Sequence, residues 1–207
     1  MINTDKYIYL NRHSLASEVC IDIIQLYENE KPTSKHEGLT LSGVNKTIKD
    51  TVDLIIPLND EKWYKYHKLL NNELSINLKK YMSTLNNNED FKNIDQLSKQ
   101  TYIFFENTKL LSNIFMIQKY TKNVGKYIYH NDFRIDLIEK KYRIITFLWY
   151  LNTVEEGGET AFGEDLKIKP EMGKLLLFPA SWTYPHAGKM PISNDKYIIT
   201  GWIYILI

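Results

Sequence analysis

The chain has 207 residues, 43% of them hydrophobic, which is enough for one sizeable core and excludes a disordered protein. With 26 lysines and arginines against 25 aspartates and glutamates, the net charge of +1 offers no global field to nucleic acid or an anionic membrane. Cys20 is the only cysteine, so no internal disulfide is possible and an oxidising compartment gains no support.

Residues 7–10, YIYL, predict a short strand, and Ser14 is placed to cap a helix running to about Glu30. Leu15, Val19, Ile23, Leu26 and Tyr27 give that helix one apolar face. Asp5, Lys6 and Arg12 interrupt any apolar leader, and no later run approaches a membrane span; the expectation is a soluble, cytoplasmic chain without nucleic-acid or membrane partners. Residues 31–50 are polar, with Gly38 and Gly43, and read as a loop flanking the mouth of a site. Thr51 to Leu58 predicts a strand that Pro57 places at an edge or at its end. Asn59 or Asp60 then caps the clearest helix of the chain. Its stripe of Trp63, His67, Leu70, Leu74, Leu78, Tyr81 and Leu85 is expected to pack on the outer face of a sheet. A lone histidine on such a stripe reads as a core or boundary residue rather than a ligand, as do His13 and His36.

Residues 86–100 are polar and read as a connection, after which the pattern becomes β: TYIFFE, NIFMIQKY, KYIYHNDF, RIITFLWYLN, GKLLLFPA and KYIITGWIYILI. The expectation is one domain over 1–207, with 1–100 a helical support region and 101–207 the catalytic core. The fold class is α+β, mostly β: a jelly-roll-like, cupin-type double-stranded β-helix with N-terminal helices packed on one sheet.

The stretch from His130 to Lys196 carries the chemistry. His130, Asp132 and His186 are two imidazoles and a carboxylate, the set that holds a non-haem Fe(II) on one face and leaves the other positions open. In an extended strand positions 130 and 132 project the same way while Asn131 points away. A third ligand so much later in the chain demands a strand returning beside the first.

HND at 130–132, an arginine opening a strand that ends in YLN, GGETAF at 157–162, a glycine followed by an apolar run and FP, PHAG at 185–188 and Lys196 occur in this order. Together they resemble the prolyl 4-hydroxylase family of Fe(II)- and 2-oxoglutarate-dependent oxygenases, over roughly residues 114–205. The resemblance implies a dioxygenase that uses Fe(II), 2-oxoglutarate and O₂, with ascorbate as a reductant, and hydroxylates a prolyl residue in a peptide or protein while succinate and CO₂ leave. It implies that His130, Asp132 and His186 are the metal ligands and that Lys196, Tyr120 and Thr160 bind 2-oxoglutarate, with Tyr150 the next choice after Tyr120. A dicarboxylate inside a barrel needs a cation, which Lys196 supplies; lysine at this place leans toward the collagen-type and microbial branch. Tyr127, Arg143 and Trp202 match positions that line the substrate groove. Two alternatives stay open: the same site hydroxylating a free amino acid or small metabolite, and a non-catalytic metal-binding cupin-like barrel. The short connection from Asp132 to Arg143 speaks against a tightly enclosed polypeptide, and Arg134 adds a cation near the mouth.

Overall fold

The predicted β-rich half folds into two antiparallel sheets, to which strands from the first sixty residues are added. The computed structural model describes residues 5–86, 111, 112 and 114–206. The predicted strand TYIFFE lies outside the described residues, as does the polar connection read at 86–100 except for Asn86, which ends the long helix.

Before the long helix come β1 (Tyr9–Asn11), α1 (Ser17–Asn29), β2 (His36–Glu37), β3 (Leu39–Thr40), β4 (Gly43–Val44), β5 (Lys49–Asp50) and β6 (Val52–Ile55). The long helix, α2, spans Glu61–Asn86. After it come β7 (Leu111–Ser112), β8 (Met116–Tyr120), β9 (Lys126–His130), β10 (Ile135–Asp136), β11 (Lys141–Tyr150) and β12 (Thr160–Phe162). The last strands are β13 (Leu166–Ile168), β14 (Leu175–Pro179), β15 (His186–Gly188) and β16 (Lys196–Leu206). The large sheet runs β1-β14-β11-β16-β8-β6-β2, with β10 on β11 and β7 on β16, and the small one runs β13-β12-β15-β9-β5.

The region before residue 100 is thus more than a helical support. β1, β2 and β6 lie in the large sheet and β5 closes one edge of the small one. Residues 31–50, read as a loop, contain four two-residue strands, among them the β3–β4 hairpin. The strand read at 7–10 is shifted to Tyr9–Asn11, behind a 3₁₀ turn over Asp5–Tyr7.

Asp60 caps α2 as expected, its carboxylate accepting the Lys62 N–H at 3.0 Å. Ser14 does not cap α1: Ala16 holds that position with no side-chain bond. The Ser14 hydroxyl instead accepts the Trp149 indole N–H at 3.0 Å and the Asn77 amide at 3.3 Å, tying the approach to α1 to both the sheet and α2. A tertiary partner outweighed the local one.

Trp63, Leu70, Leu74, Leu78, Tyr81 and Leu85 of the α2 stripe are all buried. With Cys20, Ile23 and Tyr27 of α1 they pack on Phe115, just ahead of β8, and on Ile117, Phe147, Trp149, Leu175, Leu177 and Ile199 of the large sheet. His67 sits at the boundary, its ring edge-on to Phe115 at 5.0 Å. A second cluster, including Leu148, Tyr150, Phe162, Leu176, Phe178 and Ile198, fills the space between the sheets. Among the described residues no helix is long and apolar enough to cross a membrane.

Because Leu74 belongs to the helix-side cluster, Leu74→Ala should lower unfolding free energy by about 2–5 kcal/mol in urea titration. Metal affinity should stay unchanged, since the ligands lie on the other face of the sheet.

Candidate active site

Between the sheets lies a cavity of about 590 Å³, and every residue singled out in the sequence for metal, cosubstrate or substrate lines it except Tyr150, the second choice.

The metal ligands meet because β9 and β15 pair with His130 directly opposite His186. Strand β9 ends at His130, so Asp132 is not on a strand as expected; it stands just beyond it, where the Asn131 side chain turns back to accept the Phe133 N–H at 3.2 Å. The ligand atoms of the three nevertheless lie within 4.8 Å of one another. Asp132 Oδ1 is 3.8 Å from His130 Nε2, and its Oδ2 is 3.6 Å from His186 Nε2.

Backbone carbonyls decide which nitrogen faces the centre. His130 Nδ1 bonds Ile128 O at 2.8 Å and His186 Nδ1 bonds Tyr184 O at 3.1 Å, so each ring keeps its hydrogen on Nδ1 and presents a bare Nε2 lone pair to the group. Burial, then the facing His186 ring, pulls the His130 pKa down to about 4, so the imidazole is neutral as a metal ligand must be. Burial alone would raise Asp132, yet its pKa is lowered, and the Thr146 hydroxyl donating to the carboxylate at 2.7 Å is one contact that does so. Trp202 Nε1 is buried and has no hydrogen-bond partner among the described residues. Two imidazoles turned by their Nδ1 bonds and one carboxylate, each with its outward atom fixed, fit a divalent iron.

Two irregularities shape the walls. A register shift between His186 and Gly188 puts Tyr127 on the same face as His130, where the rings stack at 3.4 Å and 12°. A second, between Arg143 and Ile145, turns Arg143 into the cavity beside Thr146. Its guanidinium lies 3.5 Å from the centroid of the Trp202 ring and its Nη1 donates to Asp132 O at 3.4 Å. Tyr127, Arg143 and Trp202 are therefore brought together at the metal group.

Lys196 lies at the other end. It is 1% exposed, and its Nζ donates to Gly158 O at 2.9 Å, 3.9 Å above the Tyr120 ring. Gly158 can present that carbonyl because it follows Gly157 in a left-handed turn, with φ +73° and +75°. Among the described residues no carboxylate pairs with Lys196; burial drives its pKa down to about 7, against a small opposing pull from Glu159. A buried ammonium without a counter-ion suits an incoming carboxylate. Thr160 stands nearby, its Oγ1 accepting the Tyr150 hydroxyl at 2.6 Å, which leaves its own hydrogen free to donate into the cavity. Tyr150 therefore acts behind Thr160 rather than in the cavity.

Thr146, Lys49, Asp53 and Gln118 also line the cavity and were not singled out from the sequence. For three of them the signal was a polar residue inside an apolar strand run, Thr146 in RIITFLW, Asp53 in TVDLII and Gln118 in FMIQKY, while Lys49 lies in a polar stretch that carries none.

Residues 115–204 match the family model of the 2OG-Fe(II) oxygenase superfamily. Curated relatives include the probable prolyl 4-hydroxylase 3 of Arabidopsis thaliana, 32% identical over 39% of this chain and 38% of its own length. The chain thus spans little more than a third of that relative. The fold is like that of the viral collagen prolyl hydroxylase of Paramecium Bursaria Chlorella virus-1, solved with 2OG: TM-score 0.66, 19% identity, covering 99% of each chain. It is also like a Trichoplax adhaerens prolyl hydroxylase solved with a hypoxia-inducible-factor peptide: TM-score 0.67, 20% identity, covering 96% of this chain and 84% of that one. The segment that carries the site is thus similar to the 2OG-Fe(II) oxygenase superfamily, and its curated relatives are prolyl 4-hydroxylases.

Two outcomes follow from this geometry. His130→Ala and Asp132→Ala should each abolish most Fe(II) binding in anaerobic calorimetry while leaving the thermal transition in place, because the core is built from other side chains. A carboxylate reaching Lys196 will raise its pKa, so binding should take up a proton at pH 8 and not at pH 6. Affinity should accordingly fall, by up to about tenfold per pH unit, above pH 7. Titration of metal-loaded protein with 2-oxoglutarate in buffers of different ionisation enthalpy measures this.

Proposed function

We propose that the chain is an Fe(II)- and 2-oxoglutarate-dependent dioxygenase that hydroxylates a prolyl residue in a peptide or protein. The observation that carries this reading is the convergence of two imidazole nitrogens and a carboxylate at one end of a cavity whose other end holds a buried ammonium with no carboxylate partner among the described residues.

In this reading His130, Asp132 and His186 hold the iron, and Lys196 and Thr160 take the distal carboxylate of 2-oxoglutarate above the Tyr120 ring. Lys196 is assigned the catalytic task of fixing which end of the cosubstrate faces the metal. Iron, cosubstrate and O₂ together supply the oxidising chemistry that inserts oxygen into a C–H bond and releases succinate and CO₂, and ascorbate is the reductant that restores idle enzyme. The Arg143 fork would hold a substrate carbonyl, and the Trp202 and Tyr127 rings offer flat faces to a pyrrolidine ring. The two sheets are read as a double-stranded β-helix within one oxygenase domain. A cytoplasmic location suits a chain with one cysteine, which lies buried.

A second reading, hydroxylation of a free amino acid or small metabolite, is favoured by one observation: the connection from Asp132 to β11 is short and holds only the two-residue β10 and a turn, with no long segment to enclose a polypeptide. Incubation with Fe(II), labelled 2-oxoglutarate and either proline peptides or free amino acids separates the two. Hydroxyproline in peptides is expected; stimulation by amino acids alone would favour the second reading, and no succinate with any substrate would leave a non-catalytic binding barrel. Arg143→Ala should abolish peptide-stimulated turnover while sparing the slow substrate-free decarboxylation. Parallel loss of both would assign Arg143 to the core.

A further inference from the structure

Three side chains of the cavity wall belong neither to the ligand group nor to the proposed carboxylate pocket, yet are almost wholly buried: Lys49 is 4% exposed, Asp53 1% and Gln118 4%. Lys49 Nζ and Asp53 Oδ2 form an ion pair at 2.6 Å. The pair stands where the chain crosses from β5 of the small sheet to β6 of the large one. Asp53 lies directly across from Gln118 in the β6–β8 pairing, and the same Oδ2 accepts the Gln118 Nε2–H at 3.3 Å.

That second bond sets a direction. A carboxylate only accepts, so Gln118 must turn its nitrogen toward Asp53 and its oxygen the other way. The oxygen accepts the Tyr120 hydroxyl at 3.2 Å. Tyr120 is the residue opposite Lys196 in the β8–β16 pairing, and its ring lies under the ammonium. With its single hydrogen given to Gln118, the Tyr120 hydroxyl has none to donate to a cosubstrate; what the residue offers is the face of its ring. Gly188 completes the arrangement, because any side chain there would press on the Tyr120 hydroxyl. Stability gives little account of the ion pair, since a well-packed apolar pair in such a place is often as stable or more so.

The geometry points to Asp53 as a positioning residue for the cosubstrate: braced by Lys49, it orients Gln118, through Gln118 the Tyr120 ring, and so the Lys196 ammonium that meets the distal carboxylate. This rests on the cosubstrate site proposed above.

The test is direct titration of Mn(II)-loaded protein with 2-oxoglutarate, with metal affinity and the thermal transition as controls. Replacing the pair by apolar residues of similar bulk, Lys49→Met with Asp53→Leu, keeps the seam packed and should weaken 2-oxoglutarate binding roughly fivefold or more while metal affinity holds. Tyr120→Phe should have a similar effect, and the triple variant should be no worse than either, because both changes cut one chain of contacts. Gln118→Met, which leaves the ion pair intact, should reproduce the loss and serves if the paired variant fails to fold. Wild-type affinity in the paired variant or in Gln118→Met, or losses that multiply in the triple variant, would overturn the inference while Lys196→Ala still weakens binding. Full affinity in Lys196→Ala would overturn the cosubstrate reading itself, and the inference with it.

Discussion

The pairing of β9 with β15 is the constraint on which the site depends. It sets His130 opposite His186, so two ligands are spaced by the sheet itself rather than by flexible loops, and Asp132 has only to follow the end of one strand. Each imidazole is then turned by a carbonyl two residues earlier in its own chain, Ile128 or Tyr184. Ligand geometry is thereby a property of the backbone, and tolerant of changes in the helical layer behind the large sheet.

The cavity divides its charges by position. At the metal end the Asp132 carboxyl is held below its usual pKa, with the Thr146 hydroxyl donating to it. At the far end an ammonium stands without an anion among the described residues. Along the wall between them Lys49 and Asp53 cancel each other. Such an arrangement favours a ligand that brings negative charge to the far end and a chelating group to the metal end, and it disfavours apolar occupants, which would leave the ammonium uncompensated.

Much of this was legible in the sequence because strand periodicity is short and local. The ligand residues, Lys196, Thr160, the α2 stripe and the β-rich half all announce themselves by spacing or motif. What escaped was set by contacts distant in sequence. Ser14 has the chemistry of a helix cap, but Trp149 and Asn77 reach it first. The two-residue strands of 31–50 exist only because other strands lie beside them, and nothing in their own composition marks them. The register shifts that bring Tyr127 and Arg143 into the cavity reverse the alternation that a strand pattern assumes. The Lys49–Asp53 pair joins residues that a linear reading places in a loop and in an apolar strand.

The strand β16 has a further consequence. Lys196, Ile198, Thr200 and Trp202 all face the cavity, so one unbroken strand runs from its closed end to its mouth. At about 3.3 Å per residue the first and last of these stand roughly 20 Å apart, a length set by backbone geometry and not by side-chain choice. The strand is a ruler laid along the cavity. A slip of one residue in its pairing would send all four side chains to the opposite face together, so the two ends of the cavity can be lost only as a unit, and the spacing between them is fixed by counting residues.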